Sequence, residues 1–332
     1  MRVVAYSTKN FEKEFLAKAN QKKHDITLIS NPLSLETAVY AEGKDAVIVF
    51  TNDDLSAPVI NKLADMGIKY ISTRSVGTDH IDAEAAALRN VKIANIPAYS
   101  PEAIAEFTVT LALALSRKLI PTVDQCRLFD FSLEHHVGFN FHGKTVGIIG
   151  LGHIGLATAA IFKGFGCRIL GYDVSPLPKT SALKTVSLDK LLGESDIISL
   201  HIPLVPATHH FINETTISKM KRGVMLINTS RGGLIKTEDA LNALDSGKIG
   251  YLGLDVYEHE NDIFFANRKL DKNKDALLER LMFHSNVIVT PHQAFLTIEA
   301  IQEIAVQTIQ NLDKWQKNKQ ADKVFAEVQI SK

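Results

Sequence analysis

The sequence predicts an α/β protein of two domains, each built on a parallel sheet covered by helices. The chain has 332 residues, which is about twice the usual size of one domain. Short β-branched runs alternate with helical patterns along most of its length, as expected for parallel strands joined by helices. The segment 96–101 interrupts this alternation, because Pro97 and Pro101 both disfavour helical geometry in the residue before them. A domain boundary is therefore expected near residue 100.

The first hundred residues contain five strand-like runs with helical patterns between them. Their apolar side chains form runs of four or five residues, the usual length of a buried strand. The strands are predicted at residues 2–6, 25–29, 46–50, 70–73 and 92–96, and the helices at 12–19, 57–66 and 83–88.

The second series of elements begins after the proline segment. Ser100 and Pro101 suit the N-cap and the first position of a helix, predicted over 101–119, and an irregular stretch to Gly143 follows. Strands are then predicted at 145–149, 168–172, 197–201, 225–228, 252–256 and 287–290, and a last helix at 297–317.

Composition excludes several classes of function. Lys and Arg together number 37, as do Asp and Glu, so no net charge attracts nucleic acid or an anionic membrane. The apolar stretch 103–115 is too short to cross a membrane, and no signal peptide is recognisable at the amino terminus. Cys126 and Cys167 are too few for a disulfide framework or a metal cluster, which favours free thiols in a reducing cytoplasm.

A dinucleotide-binding fingerprint follows the strand at 145–149. Gly150, Gly152 and Gly155 form the pattern G-x-G-x-x-G, with His153 and Ile154 between them at the start of a helical run. Such glycines permit a tight turn, close approach of a pyrophosphate and close packing of helix on strand. Asp173 ends the next strand, about 20 residues on, where a carboxylate binds the adenosine ribose and repels a 2′-phosphate. NAD is the predicted cofactor.

Three ionisable residues follow later strands, at the sheet edge where open α/β folds bind ligands. These residues are Arg231, Glu260 and His292. A guanidinium binds a carboxylate through two hydrogen bonds, an imidazole transfers protons near neutral pH, and a carboxylate orients the imidazole and favours its charged form. An oxidoreductase acting on 2-hydroxy acids needs these three groups.

These motifs resemble those of the D-isomer-specific 2-hydroxyacid dehydrogenases, nearly end to end. Four motifs carry the resemblance: the fingerprint with Asp173, Asn228-Thr229-Ser230-Arg231-Gly232, Asp255-Val256-Tyr257-Glu258, and Pro291-His292. The strings at 4–9, 97–103, 255–260 and 292–297 are similar to a group within the family, the bacterial fermentative D-lactate dehydrogenases.

The resemblance implies a reaction and roles for individual residues. Arg231 would hold the pyruvate carboxylate, His292 would protonate the carbonyl oxygen as hydride arrives from NADH, and Glu260 would pair with His292. Further implied cofactor contacts are Ile202, Pro203, Thr208, Thr229, Ser230 and Asp255, and further substrate contacts are Val76, Gly77 and Tyr99.

The resemblance also implies how the chain is organised. The NAD-binding Rossmann domain, 101–297, would be inserted into a flavodoxin-like substrate domain formed by 1–100 and 298–332. Residues 121–143 resemble the arm through which this family dimerises, so a homodimer or homotetramer is expected.

Alternative functions remain. One is another D-2-hydroxyacid dehydrogenase, which would act on hydroxyisocaproate, glycerate or glyoxylate by the same chemistry and differ only in the walls of its substrate pocket. Lactate-specific relatives often carry an aromatic residue where this chain has Leu296. An NAD-sensing corepressor of the same fold is a further alternative. A formate dehydrogenase is disfavoured because that group carries Gln where Glu260 stands, and an L-lactate dehydrogenase because its fingerprint lies near the amino terminus.

Overall fold

The structure, a computed structural model, describes residues 1–175, 183, 185–261 and 263–319. The chain divides into two compact units, the first formed by Met1–Ser100 and the chain from Leu296 onward, the second by Pro101–Phe295. The return to the first unit thus begins at Leu296 rather than at residue 298. Thr297 directly precedes the last helix, and its Oγ1 accepts a hydrogen bond from Ala300 N. The expected end of the first domain, 320–332, lies outside the described residues.

The first unit is built on a five-stranded parallel sheet. Its strands lie in the order β2-β1-β3-β4-β5, which is the flavodoxin-like order. All five predicted strands are confirmed. The elements are β1 (Arg2–Ala5), α1 (Asn10–Asn20), β2 (Asp25–Leu28), β3 (Ala46–Val49), α2 (Ala57–Asp65), β4 (Tyr70–Thr73), α3 (Ala83–Leu88), β5 (Lys92–Ala94) and the last helix, α11 (Ile298–Lys319).

The second unit is built on a six-stranded parallel sheet in the order β11-β10-β9-β8-β6-β7. Its six predicted strands are confirmed to within a few residues. The elements are α4 (Pro101–Ser116), α5 (Leu119–Arg127), β6 (Thr145–Ile149), α6 (His153–Gly164), β7 (Arg168–Tyr172), α7 (Leu188–Glu194), β8 (Ile197–Leu200), α8 (Glu214–Ser218), β9 (Val224–Asn228), α9 (Thr237–Asp245), β10 (Ile249–Leu254), α10 (Ala276–Phe283) and β11 (Val287–Val289).

The segment after α4 differs from the expected irregular stretch, because it contains α5. Lys118 adopts a left-handed conformation with φ of 50°, which ends α4 early and turns the chain into the new helix. Pro121 lies in the first turn of α5, where a missing N–H costs nothing. None of the residues of α5 is buried. Its large apolar side chains, Leu119, Ile120 and Val123, remain exposed, so the helix does not pack on the core of the unit.

Two properties of the described residues bear on function. None of their helices is both long and apolar enough to span a bilayer. Within the same residues, no cluster of three or more His, Cys, Asp or Glu side chains is arranged to hold a metal ion.

Candidate active site

The glycine fingerprint forms a tight turn between β6 and α6. Gly150 has a φ of 94°, and a Cβ placed there would lie 2.2 Å from the carbonyl oxygen of His201. A Cβ on Gly155 would lie 1.9 Å from the carbonyl oxygen of Gly150, so the helix packs directly on the turn. A Cβ on Gly152, by contrast, would meet open space. The turn therefore requires glycine at 150 and 155, and leaves the surface at 152 open to a ligand.

The fingerprint and its surroundings fit a dinucleotide. Gly152 is the N-cap of α6, and the first N–H groups of a helix have no partners within the helix, so they can bind a pyrophosphate. Asp173 follows β7, and its two carboxylate oxygens accept hydrogen bonds from Leu151 N at 2.6 Å and Ser175 N at 2.8 Å. This fixes an anionic side chain beside the turn.

A second turn on the same unit contains three of the predicted cofactor residues. Ile202, Pro203 and Thr208 follow β8, and Thr208 Oγ1 donates to the Pro203 carbonyl at 2.7 Å and accepts from Val205 N at 2.9 Å. Thr208 thus shapes this loop through its own hydroxyl. His201, which the sequence analysis did not single out, directly precedes the loop. Burial lowers the pKa of His201 to about 3, so its imidazole stays neutral at physiological pH.

The three candidate catalytic residues follow β9, β10 and β11, which are neighbours in the sheet. Arg231 lies in the turn after β9, where the Asn228 side chain donates to the Arg231 carbonyl at 2.8 Å and accepts from Ser230 N at 3.0 Å. Ser230 Oγ donates to the Leu200 carbonyl, and Thr229 Oγ1 lies 2.8 Å from Thr108 Oγ1. The side chains around Arg231 therefore hold its turn in place.

Glu260 and His292 form a direct pair. Glu260 Oε1 lies 2.7 Å from His292 Nδ1, and Glu260 Oε2 accepts from Tyr257 N at 2.9 Å. The side chains are mostly buried, with 20% of Glu260 and 14% of His292 exposed. Among the residues that the structure describes, Nε2 of His292 has no hydrogen-bond partner within this unit. A proton on Nε2 is thus available for transfer while Nδ1 is held by the carboxylate.

Asp255 holds the loop on which His292 lies. It is fully buried, and its oxygens accept from Thr290 Oγ1 at 2.6 Å, Gln293 N at 2.9 Å and Ala294 N at 2.8 Å. Burial raises the pKa of this carboxyl despite these bonds. The carbonyl of Asp255 also accepts from His292 N at 2.7 Å. The structure therefore shows Asp255 supporting the histidine loop, while its predicted contact with the cofactor remains a prediction.

Glu258, which sequence reasoning missed, joins the loops of Arg231 and Glu260. A Cβ on Gly232 would lie 2.0 Å from the Tyr257 carbonyl, so the two loops are in close contact. The Glu258 carboxylate accepts from Thr237 N at 2.8 Å and pairs with His210. Burial opposes its ionisation, but these partners outweigh burial and lower the pKa of Glu258. The sequence analysis quoted Glu258 only as the last residue of the motif at 255–258 and assigned it no role.

The predicted substrate residues Val76, Gly77 and Tyr99 belong to the first unit. Val76 and Gly77 follow β4, where Ser75 Oγ donates to the Gly77 carbonyl at 2.7 Å and Asn95 Nδ2 donates to the Val76 carbonyl at 2.8 Å. Tyr99 follows β5 and is half-buried. Their role as substrate contacts remains a prediction.

Comparison with known proteins identifies the family. Residues 109–294 match the family model of the D-isomer specific 2-hydroxyacid dehydrogenase NAD binding domain. The D-lactate dehydrogenase kk1H of Curvularia clavata is 46% identical over 326 residues, covering 96% of this chain and 93% of that protein.

Two solved structures resemble the whole chain. The pyruvate reductase of Chlamydomonas reinhardtii has a TM-score of 0.88 at 43% identity, over 95% of this chain and 96% of that one. The D-lactate dehydrogenase of Aquifex aeolicus, complexed with NAD and lactic acid, has a TM-score of 0.86 at 33% identity. The match covers 96% of this chain and 97% of that one. With the glycine turn and the paired residues at the ends of β10 and β11, these matches show that the chain belongs to the D-isomer specific 2-hydroxyacid dehydrogenases and is an NAD-dependent oxidoreductase.

Proposed function

We propose that this enzyme catalyses the reversible reduction of pyruvate to D-lactate with NADH. The contact of 2.7 Å between Glu260 and His292 carries the proposal, because it provides a charge-stabilised proton donor within an NAD-dependent fold. The similarity to a D-lactate dehydrogenase and to a pyruvate reductase supports the choice of substrate.

The chain's own residues have distinct roles in this proposal. Bound NADH supplies the hydride. The Arg231 guanidinium binds the substrate carboxylate through two parallel hydrogen bonds. His292 Nε2 donates its proton to the carbonyl oxygen during reduction and accepts it from the hydroxyl during oxidation. Glu260 orients the imidazole and stabilises its positive charge.

A panel of 2-oxo acids tests the proposal. NADH oxidation is measured with pyruvate, 2-oxobutyrate, 2-oxoisocaproate, hydroxypyruvate and glyoxylate, and the product is resolved by chiral chromatography. We expect the highest kcat/KM for pyruvate and a product that is D-lactate. Preference for a bulkier acid or for glyoxylate would assign the enzyme to one of the alternative substrates. NADH binding without turnover of any of them would instead favour the corepressor alternative.

Cofactor choice provides a first quantitative prediction. The wild-type enzyme is expected to prefer NADH over NADPH by at least about tenfold in kcat/KM, since juxtaposed like charges cost several kcal/mol. Asp173→Ala should reduce this ratio mainly by improving the use of NADPH. Asp189→Ala removes the same charge from an exposed position on α7 and serves as the control. An unchanged ratio in Asp173→Ala would contradict the proposed contact with the ribose.

Replacement of Glu260 by Gln tests the proton donor. A glutamine offers one acceptor, whereas the carboxylate faces two partners, Tyr257 N and His292 Nδ1. If the amide oxygen accepts from Tyr257 N, the amide nitrogen donates to Nδ1 and stabilises the neutral imidazole. The alkaline limb of pyruvate reduction, which needs protonated His292, should then move to lower pH by about one unit or more. Activity at acidic pH should be largely retained, and superimposable alkaline limbs would exclude the pairing as a functional one.

We also propose that the enzyme is a cytoplasmic homo-oligomer, and the exposed side chains of the arm at 121–143 support the oligomer. Five large apolar side chains in this arm are exposed by 68–86%, more than is common on a free surface: Leu128, Phe129, Phe131, Leu133 and Val137. We expect wild-type protein to be a dimer or tetramer by light scattering, and Phe129→Asp to shift it toward monomer. Phe283→Asp alters an equally exposed ring on α10 and should leave the oligomer intact. A monomeric wild type would overturn this part of the proposal.

A further inference from the structure

The loop that carries Glu260 also brings an aromatic side chain against the imidazole of His292. The ring of Phe265 lies 5.7 Å from the imidazole, measured between centroids, with an angle of 38° between the two planes. This separation is within the range in which aromatic rings interact. His292 is thus contacted at Nδ1 by a carboxylate and on its ring by a phenyl group, both supplied by one loop.

The backbone of this loop is held firmly up to Phe265. Ile263 N and Phe264 N both donate to the carbonyl oxygen of Glu260 at 3.0 Å, and the Phe264 ring is buried in the hydrophobic core of the unit. These two hydrogen bonds tie the residues directly before Phe265 to the backbone of Glu260.

Phe265 and His292 both have left-handed backbone conformations, with φ of 62° and 54°. Such values are unfavourable for residues other than glycine, and most of all for bulky ones. They persist where surrounding contacts determine the conformation, which is frequent at active sites. At Phe265 the loop retains a large aromatic residue at a position that glycine would occupy with less strain.

The contact bears on the orientation of the imidazole. One hydrogen bond at Nδ1 leaves the ring able to tilt about that bond, which would displace Nε2. Packing of Phe265 against the ring restricts this tilt. General acid catalysis needs the donor within about 2.6–3.2 Å of its acceptor, and a displacement of about 1 Å can cost about 100-fold in rate.

We propose that Phe265 is a positioning residue for proton transfer, acting through His292 by holding Nε2 in line with the substrate carbonyl. This inference rests on the proposed function. Substrate binding through Arg231 does not depend on the phenyl ring, so the ring should affect kcat far more than KM.

The test compares variants at Phe265 with a matched variant at Phe264. We expect Phe265→Leu to lower kcat for pyruvate by about tenfold to 100-fold, with KM within about twofold of wild type. Its solvent isotope effect on kcat, measured in D2O, should increase, because proton transfer becomes more rate-limiting. Phe265→Tyr, which keeps the ring, should restore both values. If Phe265→Leu does not fold, Phe265→Gly, which suits the positive φ, takes its place.

Phe264→Leu removes the same ring atoms from the same loop: Phe264 is buried in the hydrophobic core, whereas Phe265 is half-buried, packs against that core and also contacts His292. It should lower Tm while leaving kcat per folded enzyme and the solvent isotope effect at the wild-type values. A wild-type kcat and isotope effect in Phe265→Leu would overturn the inference, as would identical kinetic changes in Phe264→Leu or failure of Phe265→Tyr to restore activity. Failure of the proposed function is distinguishable, because it appears in the wild-type enzyme itself, as a preference for another 2-oxo acid or as turnover of none of them, whereas the inference about Phe265 is tested by comparing variants with wild type.

Discussion

His292→Asn is expected to lower kcat/KM for pyruvate by about 10²–10⁴-fold, the contribution of a positioned general acid. The loss should extend over the whole pH range, since an asparagine amide does not act as an acid or a base at any of these pH values. This distinguishes the variant from Glu260→Gln, which affects mainly the alkaline side. NADH affinity, measured by fluorescence titration, should remain close to wild type.

His259→Asn is the control for this prediction. His259 lies in the loop of Glu260, but its side chain is 55% exposed and its Nε2 lies 4.0 Å from Glu258 Oε2. Its activity should therefore stay near wild type. If His292→Asn retained more than about a tenth of the wild-type kcat/KM, another group would have to supply the proton.

Arg231→Lys is expected to reduce kcat/KM for pyruvate by about 10- to 100-fold. A lysine ammonium presents a point charge and cannot bind a carboxylate with two parallel hydrogen bonds, and a hydrogen bond to a charged group contributes about 1.5–3 kcal/mol. The effect should be visible in KM as well as in kcat, because the anchor holds the substrate in both the ground state and the transition state.

Two further measurements sharpen this second prediction. Arg222→Lys changes a surface arginine that donates to the Ser246 carbonyl, and it should leave the kinetics unaltered. Added guanidinium ion should partly restore activity to Arg231→Ala, because it can bind the substrate carboxylate in place of the missing side-chain guanidinium group. Wild-type kcat/KM in Arg231→Lys would show that the carboxylate is bound elsewhere.

The parts of the fold that were predicted correctly depend on local patterns. Most strands are short apolar runs rich in β-branched residues, and all residues of β3, β8 and β9 are buried, as such runs require. The helix α5 was not predicted: it is short, it contains Pro121, and none of its residues is buried. Its exposed apolar neighbours at 128–137 became visible as a surface only in the structure.

The candidate site was predictable where its ionisable residues directly follow predicted strands. Arg231, Glu260 and His292 were found because the carboxyl ends of parallel strands meet at one edge of a sheet. Their support was not predictable. Asp255 was expected near the cofactor, yet its oxygens accept hydrogen bonds from the loop of His292, and no pattern in the sequence distinguishes these two roles.

The sequence by itself determined the NAD fingerprint and the choice of catalytic residue types, because steric demands at Gly150 and Gly155 and the chemistry of single side chains are local properties. The resemblance implied that Glu260 pairs with His292, and the tertiary structure decided how this contact is made and which other side chains support it. The pairing of β10 with β11 brings Glu260 to His292 across 32 positions of the chain, and the loop of Glu260 also places Phe265 on the imidazole. Contacts of this kind depend on sheet register and loop packing, which involve many distant residues at once and leave no signature in any one segment.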